Sequence, residues 1–179
     1  MFDPKSYVFK ESLKDGTIVT VRAARMEDGP RIRRAFEHLD RETVYRRFFG
    51  VKKEVSDSEL SQITGMDFDR NVSLLVTIPS GEDEIVIGVA SYLSVAAEPP
   101  ERSAEVAFTI DKDYQGLGVA SMLMKRLVSI ARARGLTRLE ADILTHNQAM
   151  LAVFKASALP MTLVSTGDVI HVTMSLRAG

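Results

Sequence analysis

The run Tyr114-Gln115-Gly116-Leu117-Gly118-Val119-Ala120 follows a strand-like stretch, Ala104-Glu105-Val106-Ala107-Phe108-Thr109-Ile110, and opens directly into an amphipathic segment. A glycine-bearing turn between a strand and a helix start leaves backbone N–H groups unpaired, and the positive end of the helix dipole adds to their attraction for an anion. The chemistry on offer is the capture of a phosphate or pyrophosphate. Two other phosphate loops do not fit. A Walker loop needs Gly-Lys-Ser/Thr, but Gly118 is followed by Val119-Ala120. A dinucleotide fingerprint needs a third glycine, and Ser121 stands there. What remains is Gln-x-x-Gly-x-Ala, with Gln115, Gly118 and Ala120 in register. In the preceding strand, alternation puts Val106, Phe108 and Ile110 on one face and Glu105, Ala107 and Thr109 on the other. A carboxylate beside a small alanine leaves room for a ligand; the alternative at this level is a glutamate that faces water or pairs with an arginine.

The elements that must position these groups follow from periodicity. Thr17 to Ala23 is β-branched and reads as a first strand. Asp28-Gly29-Pro30 starts a helix, with Asp28 as cap, Pro30 in the first turn and Ile32, Ala35, Phe36 and Leu39 as the apolar stripe. Val44 and Phe48, and Tyr45 and Phe49, lie one turn apart, and Gly50 supplies a stop. Ser56-x-x-Glu59 is a capping box before Leu60 and Ile63. Val72 to Ile78 and Ile85 to Val95 read as a hairpin around Pro79-Ser80-Gly81-Glu82-Asp83. Ala104 to Asp111 is the fourth strand. Val119 to Arg134 is the main helix, with Ala120, Leu123, Leu127, Ile130 and Ala131 at helical spacing, Lys125, Arg126 and Arg132 off that stripe, and Gly135 at its end. Leu136 to Leu144 is a fifth strand, Asn147 to Ala156 a helix, and Met161 to Ser165 and Val169 to Leu176 a closing hairpin. This order predicts a mixed sheet covered by helices on both faces, in the α+β or α/β class.

Composition narrows the function. The 179 residues suffice for one domain with a real core. Net charge is −1, which gives no basis for bulk nucleic-acid or anionic-membrane binding. The absence of cysteine excludes disulfides, cysteine nucleophiles and thiolate metal sites. Met1-Phe2-Asp3-Pro4-Lys5 lacks the apolar core of a signal peptide, and no run approaches membrane-spanning length, so a cytoplasmic protein is expected. His38, His146 and His171 show no ligand spacing, and no metal site is expected.

The Gln-x-x-Gly-x-Ala pattern resembles the acyl-coenzyme A pyrophosphate loop of the GCN5-related N-acetyltransferases (GNAT superfamily). Ala104-Glu105-Val106-Ala107-Phe108, then Gln115-Gly116-Leu117-Gly118, is similar to the bacterial Pat-type protein-lysine acetyltransferase domain. So are Tyr45-Arg46-Arg47-Phe48-Phe49-Gly50 and Met66-Asp67-Phe68-Asp69-Arg70. The resemblance covers most of the chain. It implies the GNAT fold: a mostly antiparallel, seven-stranded sheet flanked by helices on both faces and splayed between the fourth and fifth strands, in a single domain over 1–179 with no room for the regulatory domains that some family members carry. It implies acetyl-coenzyme A as acyl donor, and places the family's general base on Glu105. Backbone groups of Phe108, Thr109 and Ile110 would pair with the pantetheine arm. The amides of Gln115, Gly116, Leu117, Gly118, Val119, Ala120 and Ser121 would hold the pyrophosphate. Asn147 falls at the asparagine that contacts coenzyme A, where it would serve equally well as a helix cap. The tyrosine that commonly acts as general acid is replaced by Phe154, so that role is vacant. The glycine that commonly follows the helix is replaced by Ala158-Leu159-Pro160.

The implied reaction is direct transfer of an acetyl group to a primary amine, with a protein lysine as the expected acceptor. A free lysine has a pKa of about 10.4, so only roughly one in a few thousand is neutral at pH 7. A positioned base is worth about 10²–10⁴-fold. The alternatives are a small-molecule amine acceptor, or a non-catalytic acyl-coenzyme A sensor, which the missing tyrosine favours and the intact glutamate opposes. Glu140 and Asp142 share a strand face as auxiliary bases or rim charges. Arg46 and Arg47 are candidates for an acidic substrate, the adenosine 3′-phosphate or ordinary ion pairs. A monomer or homodimer is expected.

Overall fold

Burial of the central strands on both faces, rather than local propensity alone, sets the architecture of this computed structural model, which describes Asp3 and residues 6–178. The rest of the N-terminal stretch read for a signal peptide lies outside the described residues. The sheet has eight strands in the order β1-β2-β3-β4-β5-β6-β8-β7. They are β1 (Val8–Ser12), β2 (Ile18–Ala23), β3 (Asn71–Ser80), β4 (Asp83–Val95), β5 (Ser103–Ile110), β6 (Arg138–Leu144), β7 (Met161–Thr166) and β8 (Val169–Ser175). Every neighbouring pair is antiparallel except β5 and β6. The helices are α1 (Gly29–His38), α2 (Arg41–Phe48), α3 (Asp57–Thr64), α4 (Val119–Ala133) and α5 (Gln148–Ala156).

The expected count of seven strands is corrected by β1. Its residues Val-Phe-Lys-Glu-Ser carry no apolar alternation and lie at a sheet edge, mostly exposed. Pairing with β2 makes the strand, and its ring contacts hold it: the Arg126 guanidinium of α4 lies 4.2 Å from the Phe9 ring centroid and pairs with Glu11.

Two cores result, one on each face. Val72, Leu74 and Val76 of β3 pack beneath Leu123, Leu127 and Ala131 of α4. Leu75, between them in sequence, packs with Ile32, Phe36 and Leu60 of α1 and α3. A bulge where β3 shifts register between Val76 and Thr77 leaves Ile87 without a partner just before Gly88. A Cβ at Gly88 would lie 3.1 Å from Ile110 Cδ1 and 3.3 Å from Val119 Cγ1. Glycine there lets the first turn of α4 rest against the sheet.

Several local expectations hold. Ser56 and Glu59 form the capping box, Pro30 sits in the first turn of α1, and Gly135 ends α4 with φ 75°. Two are corrected. Asp28 makes no side-chain cap on α1. It is fully buried and receives the Arg22 guanidinium through bonds of 2.7 and 2.8 Å, while Arg22 also reaches Glu84. The stop of α2 is Phe49, in the left-handed conformation at φ 59°, rather than Gly50. Ala158 takes the same conformation, φ 58°, after α5, in place of the glycine usual there in the resembling family.

Candidate active site

β5 and β6 are paired only from Ser103–Arg138 to Glu105–Glu140. Beyond Glu105 the two strands diverge, while β5 stays bonded to β4 through Ile110. The expected splay is therefore present and begins at the predicted base. A cleft of about 510 Å³ fills it, lined by Phe108, Thr109 and Ile110 on one side and Ala141 and Ile143 on the other. α2 contacts both diverging strands, and its Tyr45 stacks on His146, just past the end of β6, at 6.4 Å.

The loop at the end of the cleft is built by short-range geometry. Asp111 accepts the Asp113 N–H and starts a 3-10 turn, and Gly116 (φ 77°) and Gly118 (φ 92°) reverse the chain into α4. No side chain caps α4. The first helical bond runs from Met122 N–H to Gly118 O, and among the described residues the N–H groups of Gly116 to Ser121 have no partner. Unpaired amides at a helix start are the physical requirement for holding a pyrophosphate. Gly116, Gly118, Val119, Ala120 and Ser121 front the cleft.

Two loop residues behave differently. Leu117 does not line the cleft: its side chain packs on the core, and its carbonyl accepts the Lys14 N–H at 3.1 Å. Gln115 lines the cleft, but its N–H is engaged by Lys112 O at 3.3 Å, and its carboxamide donates to Thr43 Oγ1 (3.1 Å) and Ile110 O (2.9 Å), which ties the loop to α2. Asn147 lines the cleft and also caps α5, accepting the Met150 N–H at 3.2 Å. Phe154 is buried edge-to-face against Phe108, 6.1 Å between centroids, so the wall carries no phenol there.

A second cavity, about 330 Å³, opens between α1, α2, α3 and the sheet. Its walls are apolar (Ile32, Phe36, Phe48), while Ser73, Ser91 and Thr109 line it with hydroxyls. The Ser73 Oγ is buried without a hydrogen-bond partner. Sequence reasoning missed this cavity, because its lining comes from segments remote in the chain. Glu105 and Arg47 line both cavities. Among the described residues the Glu105 carboxylate has no hydrogen bond or ion pair, and its strand position is exposed. Burial lowers the Arg47 pKa from its ordinary value, against the opposing pull of Glu59 and Glu105. Arg46 is engaged by Glu42 at 2.6 Å.

The remaining ionisable groups lie around this centre. Asp142 lines the cleft and bonds His171 Nδ1 at 2.7 Å, and Glu140 lies 3.8 Å from Nε2. The bond to Asp142 raises the His171 pKa. His38 comes within 3.8 Å of both Asp111 and Asp113, a grouping invisible in the sequence spacing.

Comparison with known proteins agrees with this geometry. The sequence model of the Acetyltransferase (GNAT) family matches residues 34–158. The chain is 34% identical over 140 residues to Acetyltransferase PA5475 of Pseudomonas aeruginosa, covering 78% of this chain and 74% of that protein. It is 35% identical over 109 residues to Acetyltransferase Pat of Mycolicibacterium smegmatis, covering 61% of this chain but only 31% of Pat. The GNAT domain of S. lividans PAT superposes with a TM-score of 0.86 at 28% identity, over 97% of this chain and 99% of that one. The yncA protein of Salmonella typhimurium, solved with its cofactor acetyl-CoA, shares the fold at TM-score 0.70 and 19% identity, over 90% of this chain and 95% of that one. No helix among the described residues is long and apolar enough to cross a membrane. An amide-lined loop on one arm of a splayed sheet, found in a chain whose relatives are acetyltransferases, leaves one assignment: this is a member of the GNAT family of acetyl-CoA-dependent acetyltransferases.

Proposed function

We propose that the enzyme, a single catalytic domain working in the cytoplasm, transfers acetyl from acetyl-CoA directly to a lysine side chain of a protein, with Glu105 as general base. The observation that carries this reading is the unpartnered Glu105 carboxylate on the wall common to both cavities. The resemblance to Pat and to the PAT domain supports a protein acceptor.

The chain's own groups divide the work. The amides from Gly116 to Ser121 hold the donor's pyrophosphate, and the Phe108 backbone and the Ile110 N–H face the unpaired side of β5, where the Ile110 carbonyl already accepts from Gln115 Nε2 and the Thr109 backbone is turned to β4. Asn147 adds a contact where α5 begins. The acceptor ammonium gives its proton to Glu105, directly or through water. The free amine then forms the new C–N bond as the C–S bond breaks, the second nitrogen proton passes to solvent, and solvent protonates the departing thiolate, since Phe154 has no proton to give. Holding both reactants together removes the entropic cost of their meeting, and no covalent enzyme intermediate is needed.

A small-molecule amine is the second reading, favoured by the second cavity and its unsatisfied Ser73 hydroxyl. Measuring coenzyme A release with candidate proteins and with a panel of small amines decides between them. Turnover confined to small amines would reject the protein-lysine assignment.

A further inference from the structure

Loop 115–121 contains no cationic side chain, yet coenzyme A carries a pyrophosphate and a 3′-phosphate. Charge must come from elsewhere on the cleft. Its cationic lining residues are Lys14, Arg46 and Arg47. Arg46 gives one terminal nitrogen to Glu42 and keeps an unpaired, buried Nε, and Arg47 lies at the junction with the second cavity, in the field of Glu59 and Glu105. Lys14 is the one whose backbone and stem lie on the loop itself. It belongs to the β1–β2 turn, outside the 34–158 span that the family model matches.

The turn is held firmly against the loop. Leu13 is buried in the main core, and its N–H donates to Thr17 O at 2.8 Å. Asp15 accepts the Thr17 N–H, and Gly16, at φ 88°, closes the reversal. The Lys14 N–H then donates to Leu117 O. Its aliphatic stem crosses Gly118, where a Cβ would lie 3.4 Å from Lys14 Cε. From the other side, Arg126 clamps β1 to α4 through Glu11 and Phe9. The Lys14 ammonium is exposed and has no ion pair or hydrogen bond with a described residue, the neighbouring Asp15 included.

We propose that the β1–β2 hairpin is a working wall of the donor site, and that Lys14 supplies the cationic contact to a coenzyme A phosphate that the loop lacks. The inference rests on the reading of the loop as the pyrophosphate site. An ammonium beside unpaired amides adds charge to a site that otherwise offers only dipoles. The hairpin also explains itself this way. Its outer strand β1 is mostly exposed, yet it is tied to the loop at one end and to α4 at the other.

Calorimetry with coenzyme A and with 3′-dephospho-coenzyme A tests the proposal on wild type, Lys14→Met and Lys14→Arg, with melting temperatures confirming that each variant is folded. At low salt, Lys14→Met should weaken coenzyme A binding roughly tenfold, and Lys14→Arg should recover most of it. The gap should shrink in about 0.5 M NaCl, as screening removes the charge contribution. A loss seen with both ligands assigns the contact to the pyrophosphate, and a loss confined to coenzyme A assigns it to the 3′-phosphate. Either result upholds the role. Lys14→Met binding that matches wild type at low salt overturns it, as does a salt-independent loss that Lys14→Arg fails to recover. A wild-type protein that binds no coenzyme A would sink the loop reading itself, and the Lys14 role with it.

Discussion

Two clusters of charge in this molecule are built on opposite principles. Where β2 meets α1, Arg22, Asp28, Glu84 and Arg31 satisfy one another, with the Arg22 and Asp28 side chains 3% and 0% exposed. At the splay, the Glu105 carboxylate and the Lys14 ammonium make no hydrogen bond or close ion pair among the described residues, Glu105 feeling only the field of Arg47, and the amides of Gly116 to Ser121 are equally bare. A closed network fixes shape. An open one leaves hydrogen-bonding capacity for a ligand, at a cost in stability that the fold recovers elsewhere.

The contrast is sharpest for single-residue changes. Glu105→Gln should cut turnover at neutral pH by at least tenfold, against the roughly 10²–10⁴-fold that a positioned base can supply, while leaving coenzyme A affinity and melting temperature unchanged. Steady-state kinetics beside calorimetry reads both, and near-normal turnover rejects Glu105 as the base. Asp28→Asn should do the reverse, costing about 3–5 kcal/mol in urea unfolding because a buried guanidinium loses its counter-charge. Gly118→Ala should show both effects in miniature. The strained left-handed backbone costs about 1–2 kcal/mol, and the loop's grip on donor phosphates weakens with it.

Acidity should separate the regions further. The carboxyl of Asp28 is held below its usual range: burial alone would raise it, but the bonds to Arg22, Arg25 and Arg31 win. Its contribution to stability is therefore present above the unfolded carboxyl pKa and lost as pH falls through the lowered folded value. His171 has the opposite sign. The Asp142 bond raises its pKa, so its smaller contribution is present below the unfolded histidine value of about 6.5 and lost as pH climbs through the raised folded one. Subtracting the stability–pH curve of a His171→Ala variant from that of wild type should show this; a difference that grows toward high pH would contradict it. The smallest expected effect is at Ala158, where glycine should stabilise by about 0.5–1 kcal/mol, because the left-handed φ of 58° suits it better.

The site was more legible in the sequence than its surroundings. The loop could be read because its glycines are required by backbone geometry and its helix start by periodicity, both of which act over a few residues. Glu105 stood out because alternation put it next to Ala107. By contrast, β1 carries Lys10 and Glu11 where a strand pattern would show apolar residues, although Asp15-Gly16 is a turn signal that points to a hairpin. Asp28 looked like a cap because its true partners, Arg22 and Glu84, belong to other elements. The second cavity is assembled from α1, α2, α3 and three strands, and packing at that range leaves no local mark.

Gly88 shows how far the reach of a catalytic centre extends. Its missing methyl fixes how deeply the electropositive end of α4 sinks toward the sheet, from a position on the wall of the other cavity. A methyl there would press on Ile110 and Val119, which would have to give by a few tenths of an ångström. Such a variant would present as an enzyme with a poor grip on its thioester, although no atom of residue 88 belongs to the donor cleft.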